Sequence, residues 1–195
     1  MKRNPSATRA RILSAAYALF YRKGFQRTSL YDIAAKAGVT KRTLYYHVRS
    51  KDELAGAMLA HQHAFVLAQV AQWIGAPRRG GGNGAPRTIV DRLFDSVGRW
   101  AATNSPRTRW TGSGFTRMAL ELADLPGHPA RVATRRHKAE VQAALAQRFA
   151  DCGVPRAREV AAQVQMLLEG AMVLILIHGD AGYAKLAATA ARKLI

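Results

Sequence analysis

Apolar residues recur every three to four positions along most of the chain, a spacing typical of helices with one buried face. The first such stripe is made by Ile12, Leu13, Ala16, Leu19 and Phe20. It predicts a helix from about residue 6 to residue 23, and a glycine follows at the position of a C-terminal cap. No segment alternates as a half-buried strand would, so the pattern favours an all-α fold.

The segment TSLYDIAAKAG carries signals for the start and the end of a second helix. Thr28 or Ser29 is expected as its N-cap, and Asp32 is placed as a capping-box partner. Gly38 stands where a helix over 29–37 should end.

A third short helix is predicted over 40–48, and a longer helix follows almost at once. Ser50 and Glu53 have the spacing of a capping box, which marks the start of this fourth helix. Its apolar positions continue to about Trp73.

The stretch GAPRRGGGNGAPR at 75–87 interrupts the periodicity, because its glycines and prolines predict a flexible loop. Beyond it, the pattern predicts five further helices, near 88–103, 106–124, 128–151, 155–178 and 180–194. We therefore expect a small helical domain at 1–52 and a larger helical domain at 53–195.

The two short helices, joined across Ala-Gly-Val, have the pattern of a helix-turn-helix. Gly38 would form the turn, and small Ala34 would lie where the two helices cross. Ile33, Val39 and Leu44 would form the core of the motif.

The second helix of this motif has two different faces. At 100° per residue, Leu44 and Val48 share the side that faces the protein, whereas Arg42 and Tyr46 lie opposite. Thr43 and Tyr45 fall on the flanks, with Lys41 and His47 at the boundary. A helix in a DNA major groove needs such an arrangement, because its outer edge reaches bases and its flanks reach phosphates. A plain solvated face is the alternative interpretation.

The charge balance favours a polyanionic partner. The chain carries 30 Lys and Arg against 12 Asp and Glu, a formal charge of +18. Residues 1–50 hold eleven basic side chains and one acid, or about +10, which leaves about +8 for the rest. Biased base composition is an alternative explanation for part of the later excess.

The segment TSLYDIAAKAGVTKRTLYYHVRSKDEL resembles the DNA-binding domain of the TetR/AcrR family of transcriptional regulators. The resemblance covers residues 10–55. It implies a homodimer with two recognition helices, which would bind a near-palindromic operator in double-stranded DNA. It also implies DNA contacts at Thr28, Thr40, Lys41, Arg42, Thr43, Tyr45, Tyr46, His47 and Lys51. Arg42 and Val48 depart from the residues common in the family, so Arg42 is a candidate for either a guanine or a phosphate contact.

The resemblance further implies that the larger domain binds a small-molecule effector, whose binding releases a repressor from its operator. A transcriptional activator or an effector-independent DNA-binding protein is the alternative. Apolar and aromatic residues that could line an effector pocket are Phe94, Trp100, Trp110, Phe115, Met118 and Met166. Glu169 joins them because a carboxylate within an apolar run needs a partner, either a cationic ligand or an arginine.

The last two long helices are expected to form the dimer interface as a four-helix bundle, again from the resemblance. Their apolar pattern agrees with close helix packing: Val160, Val164, Leu167, Leu168, Ala171 and Ile175 recur at helical spacing. A core within one protomer would explain the same pattern.

Other classes of function find little support. Neither a hydrolase elbow nor a P-loop is present, and His61 and His63, two apart on a helix, face apart and argue against a metal site. We expect no catalytic residue, cofactor or metal. The run MLLEGAMVLILI is too short and too polar to span a bilayer, and Cys152, which cannot form an intramolecular disulfide, suits a reducing cytoplasm. A redox role for Cys152 stays open.

Overall fold

The structure is a computed structural model that describes residues 5–75, 86–103 and 110–195. Within these ranges all regular structure is helical, which confirms the all-α prediction. The helices are α1 (Pro5–Lys23), α2 (Leu30–Ala37), α3 (Lys41–His47), α4 (Lys51–Ile74), α5 (Pro86–Ala102), α6 (Gly114–Glu121), α7 (Pro129–Asp151), α8 (Ala157–His178) and α9 (Gly182–Ala191). A 3₁₀ turn, Arg192–Leu194, follows α9.

The start of α2 is fixed by a capping box. The Asp32 N–H donates to the Ser29 hydroxyl at 3.0 Å, and the Ser29 N–H donates to the Asp32 carboxylate at 3.2 Å. Two backbone donors that the helix leaves unpaired are thereby satisfied. Of the two N-cap candidates, Ser29 is therefore the cap.

Two predicted segments differ in their boundaries from the structure. In the described part of the segment expected as a helix over 106–124, the helix is α6, which begins after Gly112: this residue has φ of 79°, and the Ser113 hydroxyl caps the Thr116 N–H. Residues 104–109 lie outside the described residues. The loop expected at 75–87 also falls largely outside them, and α5 already begins at Pro86, a residue that the first helical position tolerates.

The chain forms two compact units. Unit 1 comprises the residues up to Phe65 together with Ser113–His137, and unit 2 comprises Val66–Gly112 with Lys138–Ile195. The units therefore do not divide between residues 52 and 53. The expectation that 1–52 is the DNA-binding domain stays a prediction, because it concerns function rather than compactness.

The core of unit 1 holds the first three helices together. Ile12, Leu13 and Phe20 of α1 are buried, as are Ile33 of α2 and Leu44 of α3. Burying such side chains stabilises by roughly 1.5–3 kcal/mol each. The two helices of the predicted helix-turn-helix are thus anchored on α1.

The core of unit 2 is built largely from α5, α8 and α9. In α8 the buried positions include Val160, Val164, Leu168, Ala171 and Ile175. The apolar stripe identified in the sequence is therefore largely core of the protomer, the second of its two interpretations. With a mean hydropathy of 2.0, α8 is also long and apolar enough to cross a membrane by length and composition, as the core helices of soluble proteins can be.

Candidate nucleic-acid interface

The turn between α2 and α3 is fixed by local backbone geometry. Gly38 adopts the left-handed conformation, with φ of 62°, which costs a glycine little. The Val39 N–H donates to the Ala34 carbonyl at 3.0 Å, and the Gly38 N–H donates to the Ala35 carbonyl at 3.1 Å. These bonds satisfy the last carbonyls of α2 and set the direction in which α3 leaves.

The second helix of the motif, α3, is held by its inner face and its first turn. Leu44 and Val48 are buried, as the helical wheel predicts. At the start of α3, the Thr40 hydroxyl accepts from the Thr43 N–H at 3.1 Å and lies 2.8 Å from the Thr43 hydroxyl. The helix therefore has a fixed N-terminus and a fixed rotation about its axis.

The outer face of α3 is open. Tyr46 is 81% exposed and Tyr45 47% exposed, and Lys41 and Arg42 are exposed as well. The Lys41 ammonium lies 6.0 Å from the centre of the Tyr45 ring. His47 is half-buried, and its ring meets that of Tyr46 edge-on, with 5.2 Å between the centroids. The exposed side chains of α3 that are expected to reach bases and phosphates thus share one accessible surface.

Thr28 is not part of this surface. Its side chain is buried, and its hydroxyl donates to the Gly24 carbonyl at 2.7 Å. A DNA contact by this hydroxyl would break a buried hydrogen bond. The DNA contact expected at Thr28 stays a prediction, and in this structure the Thr28 side chain braces the turn before α2.

Lys51 lies at the start of α4, where the predicted cap is formed: the Ser50 hydroxyl accepts from the Glu53 N–H at 3.0 Å. The Lys51 ammonium sits 4.3 Å above the centre of the Phe25 ring and donates to the Gln26 carbonyl at 3.4 Å. Partial burial lowers the pKa of Lys51 below its usual range, and the carboxylates of Asp52 and Glu121 act in the opposite direction.

Sequence reasoning missed Arg11, which braces the helix-turn-helix from α1. Its guanidinium donates to the carbonyl of Ala37 at 2.5 Å and to that of Gly38 at 3.2 Å, at the end of α2. A cation is favourable there, because the carbonyl end of a helix carries partial negative charge. Only the basic character of Arg11 was visible in the sequence, since its partners are 26 and 27 positions away.

The residues expected to line an effector pocket are divided between the two units, and their role as pocket residues stays a prediction. Phe115 and Met118 are buried in unit 1, whereas Phe94 and Trp110 are buried in unit 2. Trp100 packs on the core of unit 2, with its ring edge-on to Trp110 at 5.7 Å. Met166 is 72% exposed, which is inconsistent with a place in an enclosed cavity of this protomer.

Glu169 has a partner in the protein. Its carboxylate forms an ion pair with the ammonium of Lys138, a lysine where the sequence favoured an arginine or a cationic ligand. Both side chains are about three-quarters buried. An effector role for Glu169 stays a prediction. Because Lys138 already neutralises the carboxylate, its burial can be explained without a cationic ligand.

Across the residues that the structure describes, no cluster of three or more side chains suited to a metal ion is found. His63 lies 3.0 Å from His137 between their Nδ1 atoms, while His61 is exposed. The two histidines of α4 thus face different surroundings, as their spacing predicts.

Comparisons with known proteins find relatives of the segment that contains the helix-turn-helix. Residues 12–58 match the family model for bacterial regulatory proteins of the tetR family. The chain is 45% identical over 62 residues to the transcriptional regulator TtgR of Pseudomonas putida, a match that covers 32% of this chain and 30% of TtgR. It is 33% identical over 90 residues to the transcriptional repressor Rv3405c of Mycobacterium tuberculosis, covering 46% of this chain and 42% of that protein.

The resemblance in structure extends over nearly the whole chain. SCO4454, a TetR-family transcriptional regulator from Streptomyces coelicolor, superposes with a TM-score of 0.78 at 26% identity, covering 97% of this chain and 94% of SCO4454. The family match and the sequence relatives coincide with the helix-turn-helix, and the solved structure adds the helical remainder. Residues 12–58 thus resemble the DNA-binding region of tetR-family regulators, the match spans less than half the length of these sequence relatives, and the fold of the chain is similar to that of a TetR-family transcriptional regulator.

Proposed function

We propose that this protein is a dimeric, sequence-specific DNA-binding repressor that reads its operator with α3. The observation that carries the proposal is the contrast between the two faces of α3. Leu44 is completely buried, and Arg42 and Tyr46 project from the opposite side. A helix anchored on one face and basic and aromatic on the other is suited to the major groove.

The residues around α3 would divide the contacts between bases and phosphates. We assign Arg42 to a base edge, and Lys41, Thr43 and Tyr45 to the phosphates on either side. Lys51, at the start of α4, would meet a further phosphate with help from the helix N-terminus. The proposed DNA surface also includes Thr40, Tyr46 and His47.

A homodimer is supported by a second apolar stripe on α8. Its members fall within about 60° of one another on the helix, opposite the buried face: they are Met166, Gly170, Val173 and Ile177. All four are exposed in the protomer, as is Leu174 beside them. No atom lies within 4 Å of a Cβ built on Gly170, so a partner helix could approach closely there.

Two copies of α3 related by a two-fold axis would read a near-palindromic site, with half-sites about 34–36 Å apart. Repression is proposed because the relative Rv3405c is named a transcriptional repressor. Release by a small molecule and a cytoplasmic location are proposed on the strength of the family resemblance. The effector and the operator sequence are to be found by experiment.

Selection of bound sequences from random DNA tests the proposal directly. The purified chain should enrich a near-palindromic site, and its affinity should fall steeply with salt concentration. Transcription in vitro from a promoter carrying that site should then decrease when the protein is added. Binding of random DNA with equal affinity would contradict the proposal.

A further inference from the structure

Glu121, the last residue of α6, lies against the turn between α1 and α2 in unit 1. Its carboxylate accepts from the Phe25 N–H at 2.6 Å and from the Gln26 N–H at 3.3 Å. These two donors are 96 and 95 positions away in the chain. The carboxylate therefore holds a backbone segment that has no helix of its own.

Arg117, one turn earlier on α6, orients this carboxylate. Its Nε lies 3.3 Å from Glu121 Oε1, and its Nη1 donates to the Tyr21 carbonyl at 2.8 Å. Both side chains are about three-quarters buried, which limits the screening of their attraction by solvent. Arg117 therefore binds the end of α1, and Glu121 binds the turn that follows it.

Gly24 allows the carboxylate to approach so closely. Its φ of 86° suits glycine, and a Cβ added there would lie 2.6 Å from Glu121 Oε1. A side chain at this position would therefore meet both backbone strain and a direct clash.

The turn between α1 and α2 also contacts Lys51, a residue of the proposed DNA surface. The Gln26 carbonyl accepts from Lys51, and the Phe25 ring lies beneath the Lys51 ammonium. Thr28 bonds the Gly24 carbonyl just before the Ser29 cap of α2. A displacement of the turn would therefore displace the start of α2 and the ammonium of Lys51 together.

We infer that Glu121, oriented by Arg117, is a positioning residue for DNA binding that holds the α1–α2 turn and, through it, Lys51. It is not a DNA contact itself, since a carboxylate would repel phosphate. The inference rests on the proposed DNA-binding function.

The test compares Glu121→Gln, which keeps the shape of the side chain, with Asp124→Asn. Asp124 is an exposed acid three residues further on, so this control removes the same charge from the same segment. In the absence of DNA, exchange of the Phe25 and Gln26 amides should be about tenfold faster in Glu121→Gln than in the control.

Affinity for the selected operator should fall about tenfold relative to Asp124→Asn, because Lys51 loses its support. The slope of log affinity against log salt should also become shallower by about 1, the loss of one phosphate contact. A variant that is merely less stable would bind with an unchanged slope once its folded fraction is taken into account.

Arg117→Lys provides a second test of the inference. This variant keeps the positive charge but loses the planar guanidinium, whose several donors have a fixed geometry. Its effect on affinity should have the same direction and should not add fully to that of Glu121→Gln. Faster amide exchange with unchanged operator affinity, or unchanged exchange in both variants, would overturn the inference. Failure of the wild-type protein to bind any selected site would instead overturn the proposed function.

Discussion

Leu44 and Tyr46, two residues apart on α3, have opposite surroundings: the Leu44 side chain is completely buried and that of Tyr46 is 81% exposed. The same short helix therefore contributes to the core of unit 1 and to its accessible surface. This difference separates stability from DNA binding in experiments on single residues.

Leu44→Ala should destabilise the protein by about 2–5 kcal/mol, because it leaves a cavity in the core. Tyr46→Ala should change the free energy of unfolding by no more than about 0.5 kcal/mol and should still weaken binding to the selected operator. Urea denaturation and fluorescence anisotropy on the same preparations measure the two effects. A comparable loss of stability in both variants would contradict the assignment of faces.

Arg42→Ala should weaken the selected site by about 1–3 kcal/mol and reduce discrimination against altered bases. Lys51→Ala should weaken selected and random DNA to a similar extent, since a phosphate carries no sequence information. Competition titrations with both DNAs provide the measurement. Equal losses on both DNAs for Arg42→Ala would show that Arg42 contacts phosphate instead.

The capping box of α2 should depend on pH through Asp32. The Ser29 backbone N–H, and then the Ser29 side chain, hydrogen-bond with Asp32 and lower the pKa of its carboxyl below the ordinary 3.8. Since the folded pKa is the lower one, the stabilisation is present above the ordinary value and is lost as pH falls through the folded value.

Denaturation of the wild type and of Asp32→Asn measures this contribution between neutral and acidic pH. The stability difference between the two should be constant near neutrality and should shrink once the pH falls below about 4. Asp124→Asn, which removes an exposed acid outside any cap, is the matched control. A difference that persists unchanged at the lowest pH would exclude the titration of Asp32 as its source.

Ile177→Asp should dissociate the proposed dimer, because it would bury an unpaired charge in an apolar contact. Leu120→Asp is a matched control, since Leu120 on α6 is also 66% exposed in the protomer. Sedimentation should give the mass of one protomer for Ile177→Asp and of two for the control. A dimer that tolerates aspartate at 177 would place the interface elsewhere.

The sequence predicted those features whose causes are local. Asp32 and Gly38 lie within one short helix and at its end, so their hydrogen-bonding and backbone preferences indicate the capping box and the turn, while the N-cap itself was left between Thr28 and Ser29. Likewise, the spacing of Leu44 and Tyr46 is enough to assign their faces.

Features that depend on distant partners could not be predicted in the same way. A threonine just before a helix looks like an exposed cap, and only the position of the Gly24 carbonyl shows that Thr28 is buried. Glu121 and Arg11 bond to backbone groups that are distant in the sequence, and no periodicity indicates those pairs. In α8 both faces are apolar, so spacing alone could not separate the core stripe from the outward one.

The outward stripe of α8 also has a consequence for how the cell would use this protein. If only the dimer can hold both half-sites, operator occupancy at low expression should rise with the square of protomer concentration. Repression would then set in over a narrower range of expression than simple binding allows. The residues that set this threshold would be Met166, Val173 and Ile177, none of which lies on α3.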